Sequence, residues 1–150
     1  MKNYFFEEEQ KFTQWWLWLI LIIVLIFPPM INTTESVNYY LLIDVLIMGL
    51  IFLMKLTVRV SFLGIHYQFS PFHFKERILK KEEIKDFQEI KYNPIIDYGG
   101  WGVRNGINGK AYNVKGNKGV RVLQTNGKRI LFGSQRSQSF IIALKKLSKN

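Results

Sequence analysis

From Phe12 to Thr34 the chain carries no charged residue, and Trp15 to Phe27 is apolar without interruption. Such a run is stable only where water is kept from most of its surface, and it reaches the roughly 20 residues a helix needs to cross a bilayer. Trp15, Trp16 and Trp18 stand at its start, where an interfacial belt places aromatic rings. Val37 to Met54 is a second stretch of similar length, opened by Tyr39 and Tyr40, closed by Lys55 and interrupted only by Asp44. The pattern predicts a transmembrane hairpin over 15–55, with spans at 15–31 and 37–54 and the turn Asn32-Thr33-Thr34-Glu35-Ser36 between them. Pro28-Pro29 is expected to stop or kink the first helix. A cleaved signal peptide fits poorly, because Glu7-Glu8-Glu9 leads the segment and no small-x-small site follows.

The charges fall unevenly around this hairpin. Residues 1–58 hold three Lys and five acids, whereas residues 59–150 hold 18 basic and six acidic residues, a net +12. The turn has no Lys or Arg; Lys2 and Lys11 precede the first span, and Lys55, Arg59, Lys75 and Arg77 follow the second. The positive-inside rule then predicts an integral membrane protein with both termini cytoplasmic. Residues 1–14 would be a cytoplasmic tail and 56–150 a cytoplasmic domain. The absence of Cys excludes disulfide scaffolds and thiolate sites.

After Leu56 the period of the sequence changes. Val58, Val60 and Phe62 alternate with Thr57, Arg59 and Ser61; Gly64 breaks the run; Ile65, Tyr67 and Phe69 then alternate with polar neighbours, which predicts two strands and a tight turn. Phe72 and Phe74 continue the alternation, Arg77 to Lys80 ends another strand, and Lys81 to Ile84 reads as a short helical or turn segment before a strand at Phe87 to Tyr92. Nine of the eleven Gly lie between Gly99 and Gly133. Asn-Gly pairs at 105–106, 108–109 and 126–127 and Gly116-Asn117 mark hairpin turns. Phe140, Ile141, Leu144 and Leu147 form an apolar stripe, predicting a C-terminal amphipathic helix with Ser137 as N-cap.

About seven antiparallel strands followed by one helix is the element order of a PH-like β-barrel capped by its helix. The string Tyr98-Gly99-Gly100-Trp101-Gly102-Val103-Arg104, with Gly109-Lys110-Ala111-Tyr112-Asn113, Gly116-Asn117-Lys118-Gly119-Val120, Asn126-Gly127-Lys128 and Phe132-Gly133-Ser134-Gln135-Arg136, resembles small bacterial membrane proteins with two transmembrane helices before a PH-like domain. The resemblance implies a membrane-anchored α+β fold and a location in the bacterial inner membrane. It implies no biochemical role, which must be argued from sites.

A nucleotide site is not expected. Gly109-Lys110 and Gly127-Lys128 are followed by Ala111 and Arg129, not Ser or Thr, and Gly100-x-Gly102 has its next Gly one residue too late. His66 and His73 show no triad or ligand spacing, so no catalytic residue, metal or other cofactor is expected. Trp101 and Arg104 are candidate partner-binding residues, with packing over the glycines as the alternative. Asp44 is either an interfacial carboxylate or a polar contact within the membrane. Lys75, Arg77, Lys80, Lys81 and Lys85, interleaved with Glu76, Glu82, Glu83 and Asp86, read as a solvated face. With Arg59 they are also the candidate contacts to anionic lipid, each able to contribute about 1 kcal/mol near a charged surface. No nucleic-acid-binding signature accompanies the basic charge. The expected function is a non-enzymatic interaction module held at the membrane to bind a protein partner, anionic headgroups of the lipid bilayer, or both. The alternative is an accessory subunit of a transporter or enzyme complex, assembled through the two helices.

Overall fold

The computed structural model describes residues 4–31, 37–106 and 108–149. They divide into two compact units: residues 12–54, and a discontinuous domain made of 1–11 with 55–150.

The first unit is a pair of helices, α1 (Trp15–Ile31) and α2 (Val37–Leu53). Half-buried residues on α1 include Trp18, Leu21 and Leu25, and those on α2 are Leu41, Asp44, Met48 and Ile51. Spacings of three and four put each set on one stripe, the seam along which two helices pack. Trp18 meets Phe52 edge to face at 6.3 Å, and its indole N–H donates to the carbonyl of Phe12. α1 runs through Pro28-Pro29 to Ile31. The predicted turn at 32–36 lies outside the described residues.

This pair corrects the expected transmembrane hairpin. Among the described residues no helix is long and apolar enough to cross a membrane. Each helix has 17 residues, about 25 Å at 1.5 Å per residue, against a hydrocarbon layer of roughly 30 Å. The expected spans match the helices to within one residue; what the sequence reading overstated is the length that 17 residues of helix supply. The expectation of an integral inner-membrane protein, and the topology drawn from it, fall with the spans.

The domain holds two open sheets. In the first, β1 (Phe6–Lys11), β2 (Lys55–Ser61), β3 (Gly64–Ser70) and β4 (Arg77–Lys80) pair antiparallel in that order. In the second, β5 (Ile84–Lys91), β6 (Gly102–Gly106), β7 (Gly109–Asn113), β8 (Lys118–Gln124) and β9 (Arg129–Gly133) take the order β5-β8-β9-β7-β6. There β7 and β9 run parallel, with Ala111 opposite Leu131. A closed PH-like barrel built only from antiparallel strands is therefore not what forms. Alternation in the sequence marks strands, but it does not name their neighbours.

The expected tail is also a strand. Phe6, Glu8 and Gln10 point inward from β1 while Glu7, Glu9 and Lys11 face out, and Phe6 pairs with Val60 and Lys11 with Lys55. Conversely, Phe72 and Phe74 extend no strand, and Phe74 is almost fully exposed. A tight turn joins β2 to β3. Gly64 has φ +143°, and a Cβ there would collide with the carbonyl oxygen of Leu79, so only glycine fits.

An aromatic column fills the domain core. Phe6 stacks on Phe140 at 4.9 Å, Phe140 meets Phe132 at 6.2 Å, and Tyr67 lies 4.9 Å from Tyr112 and 5.1 Å from Phe132. Phe140 belongs to α4 (Ser137–Lys149), whose Phe140, Ala143, Leu144 and Leu147 are buried. The cap differs from expectation: Ser134 Oγ accepts the Arg136 N–H, while Ser137 Oγ donates to Glu89 on β5. A short helix, α3 (Pro94–Tyr98), starts at Asn93, whose side chain accepts the N–H groups of Ile95 and Ile96, and stops at Gly99 with φ 71°.

Candidate functional site

The segment around Trp101 is built by these two caps. α3 buries Pro94 and Tyr98 and leaves Ile95 and Ile96 exposed. Trp101 follows directly, half-buried, with its indole N–H donating to the Gly116 carbonyl at 3.3 Å. Lys91, Tyr92, Pro94, Ile95, Asp97 and Trp101 line a shallow groove of about 510 Å³. Arg104 turns back, its Nε donating to the Trp101 carbonyl at 3.1 Å. Trp101 thus belongs to a surface a partner could touch, and Arg104 holds the Trp101 backbone.

The basic residues singled out from the sequence differ in their surroundings. Arg59 is bound by Glu7 at 2.6 Å and Glu76 at 3.1 Å, and those two carboxylates hold its guanidinium above its ordinary value, the Glu7 hydrogen bond most of all. Lys80 donates its backbone N–H to Glu83. Lys81 and Lys85 flank a small cleft of about 220 Å³ closed by Phe87, Leu144 and Leu147. Lys75 and Arg77 are exposed. Asp44 lies on the helix seam, in the other unit.

One constellation escaped the sequence reading. Ser61 Oγ lies 2.8 Å from His66 Nε2, and His66 Nδ1 lies 3.2 Å from Glu76 Oε2, the order of contacts in a nucleophile–base–acid triad. The clue was available: in a hairpin turning at Gly64, Ser61 and His66 fall on the same face of adjacent strands. The geometry does not make a nucleophile, however. Ser61 and His66 are buried at 4% and 1% exposure, and Ser61 Oγ also accepts the Leu63 N–H at 3.1 Å. The three side chains form a hydrogen-bonded chain that fixes the turn, continued through Glu76 to Arg59 and Glu7.

Other titrating groups are tuned by burial. Desolvation pushes the Tyr67 and Tyr92 hydroxyls up to about 12 each. The Tyr92 hydroxyl lies beside Asn113, close enough to moderate its shift but not aligned to bond. Desolvation, then the charges of Arg77 and Lys110, hold His73 below its ordinary value. No group of three or more His, Cys, Asp or Glu among the described residues is arranged to hold a metal.

No protein-family model, no curated protein and no solved structure matches this chain.

Proposed function

We propose that the chain is a non-enzymatic binding module that attaches to an anionic lipid surface. One observation carries this: charge and apolar surface are segregated between its two units. All 21 Lys and Arg lie in residues 1–11 and 55–150, and residues 12–54 contain none. On α1, Leu19, Ile20, Ile22, Ile23, Val24 and Ile26 are each about half exposed. At 100° per residue they span an arc of about 200°, the broad face turned away from the α1–α2 seam. The apolar layer beneath a lipid surface can receive this face, and apolar patches of this extent mark interaction surfaces. The domain, with its net +12, is attracted to acidic headgroups with about 1 kcal/mol per well-placed cation. The reading asks for attachment to lipid and not for a crossing of it. A second reading, a protein partner at the Trp101 groove, is favoured by the exposure of Ile95 and Ile96 at 63% and 80%.

Flotation of the full-length chain with vesicles is the test. The chain should rise with phosphatidylglycerol vesicles and with phosphatidylcholine vesicles, more strongly with the former, and high salt should reduce that preference. A chain left in the aqueous fraction by both kinds of vesicle would overturn the reading. In the same samples a fluorophosphonate probe should leave Ser61 unlabelled; labelling would replace the non-enzymatic reading with a hydrolase.

A further inference from the structure

Because β7 and β9 run parallel, the turns that precede them, after β6 and after β8, lie at one end of the five-stranded sheet. Between these turns is a groove of about 570 Å³, within the range of small-ligand pockets. Its charged side chains are Lys110, Lys128 and Arg129; Asn105, Asn108 and Gln124 add amides, and no lining residue is acidic. Lys128 and Arg129 are exposed. The ion pairs among the described residues engage Lys11, Lys55, Arg59 and His66, and none of the three groove cations. Lys110 is steadied over the buried Tyr112 ring at 5.3 Å. The wall is fixed by close backbone packing: Gly109 has φ +103°, and a Cβ there would collide with the Arg129 carbonyl oxygen.

We propose that this groove binds a phosphate-bearing anion through Lys110, Lys128 and Arg129. Three cations along one groove with no acid among its lining residues suit an anion with several oxygens, and the amides can donate to it as well. The contrast with the Lys75–Lys85 run supports the placement, since acids are interleaved there and absent here. The inference rests on the lipid-surface reading above, and locates where the headgroup phosphate is met.

The full-length chain carrying Lys128→Gln with Arg129→Gln is compared by flotation with the wild type and with a charge-matched control, Lys145→Gln with Lys149→Gln. Both pairs are exposed, so unchanged circular dichroism and thermal midpoints are expected. The groove variant should lose about 30-fold of the preference for phosphatidylglycerol over phosphatidylcholine vesicles, two contributions of about 1 kcal/mol each; the control should lose less than about threefold. Vesicles made acidic with a fatty acid, which offers carboxylate in place of phosphate, should show no such gap between the variants. Glycerol phosphate, added at matched ionic strength, separates the sources: displacement assigns the groove to phosphate groups at large, and retention of the gap without displacement assigns it to headgroups in a bilayer. A groove variant equal to its control, or an equal gap on fatty-acid vesicles, would overturn the proposal while leaving lipid attachment standing. A wild type that fails to float would remove both.

Discussion

His73 is buried with its Nδ1 accepting the Phe69 N–H at 3.3 Å, so the ring is neutral there and carries its proton on Nε2. Burial and the nearby Arg77 and Lys110 depress its affinity for a second proton. The unfolded chain protonates this group more readily than the folded one, so its contribution is complete above the unfolded value of 6.5 and is lost as pH falls below it. His73→Gln keeps an acceptor for Phe69 but cannot titrate. Urea unfolding from pH 7.5 downward should show the wild type losing stability relative to this variant below about 6.5, while carboxylate protonation, common to both, cancels. Parallel curves would show that His73 is not held neutral.

At the scale of elements, α4 is the part whose role the sequence displayed most openly. Its apolar stripe of Phe140, Leu144 and Leu147 is the face it buries, and Leu144 is 1% exposed beside the exposed Lys145. Leu144→Asp in the full-length chain should therefore cost several kcal/mol, by burying an unpaired carboxylate, and Lys145→Asp less than about 0.5 kcal/mol. Comparable midpoints for the two in chemical denaturation would mean that the helix does not dock. The β8–β9 hairpin was legible for a similar reason, as Asn126-Gly127 separates two alternating runs. β1 was not legible. Its inward positions after Phe6 are Glu8 and Gln10, which alternation reads as solvent-facing. They are accepted inside because Glu8 binds Ser134 Oγ and the Gln135 N–H, and the Gln10 amide donates to the Gly133 carbonyl at 2.7 Å. The candidate site was legible in part: Trp101 stood out as an aromatic among glycines, but the basic groove did not. Its three cations come from two hairpins that only the parallel β7–β9 pairing places side by side.

For the whole molecule, the register of β1 with β2 makes the helix pair an insertion. Lys11 and Lys55 face each other where the chain leaves and re-enters the sheet, and Glu9 binds both, at 3.6 Å and 2.9 Å. Replacing residues 12–54 by Asn-Gly should turn β1 and β2 into an ordinary hairpin. The excised chain, which keeps Trp101 as its one Trp, should be a folded monomer that unfolds cooperatively, and its vesicle binding should become wholly salt-sensitive; a chain without cooperative unfolding would show that the pair is needed to build the domain. The bonds of Glu8 carry a different consequence, for synthesis. β1 emerges from the ribosome ahead of every strand it depends on. Its edge partner follows only after the whole helix pair, and the hydroxyl and amide that receive Glu8 lie 126 and 127 residues further along. Contacts so distant in sequence form late. Until Ser134 and Gln135 are made, the Glu8 carboxylate lacks the partners that admit it to the interior, so β1 can take its final place only after they have emerged.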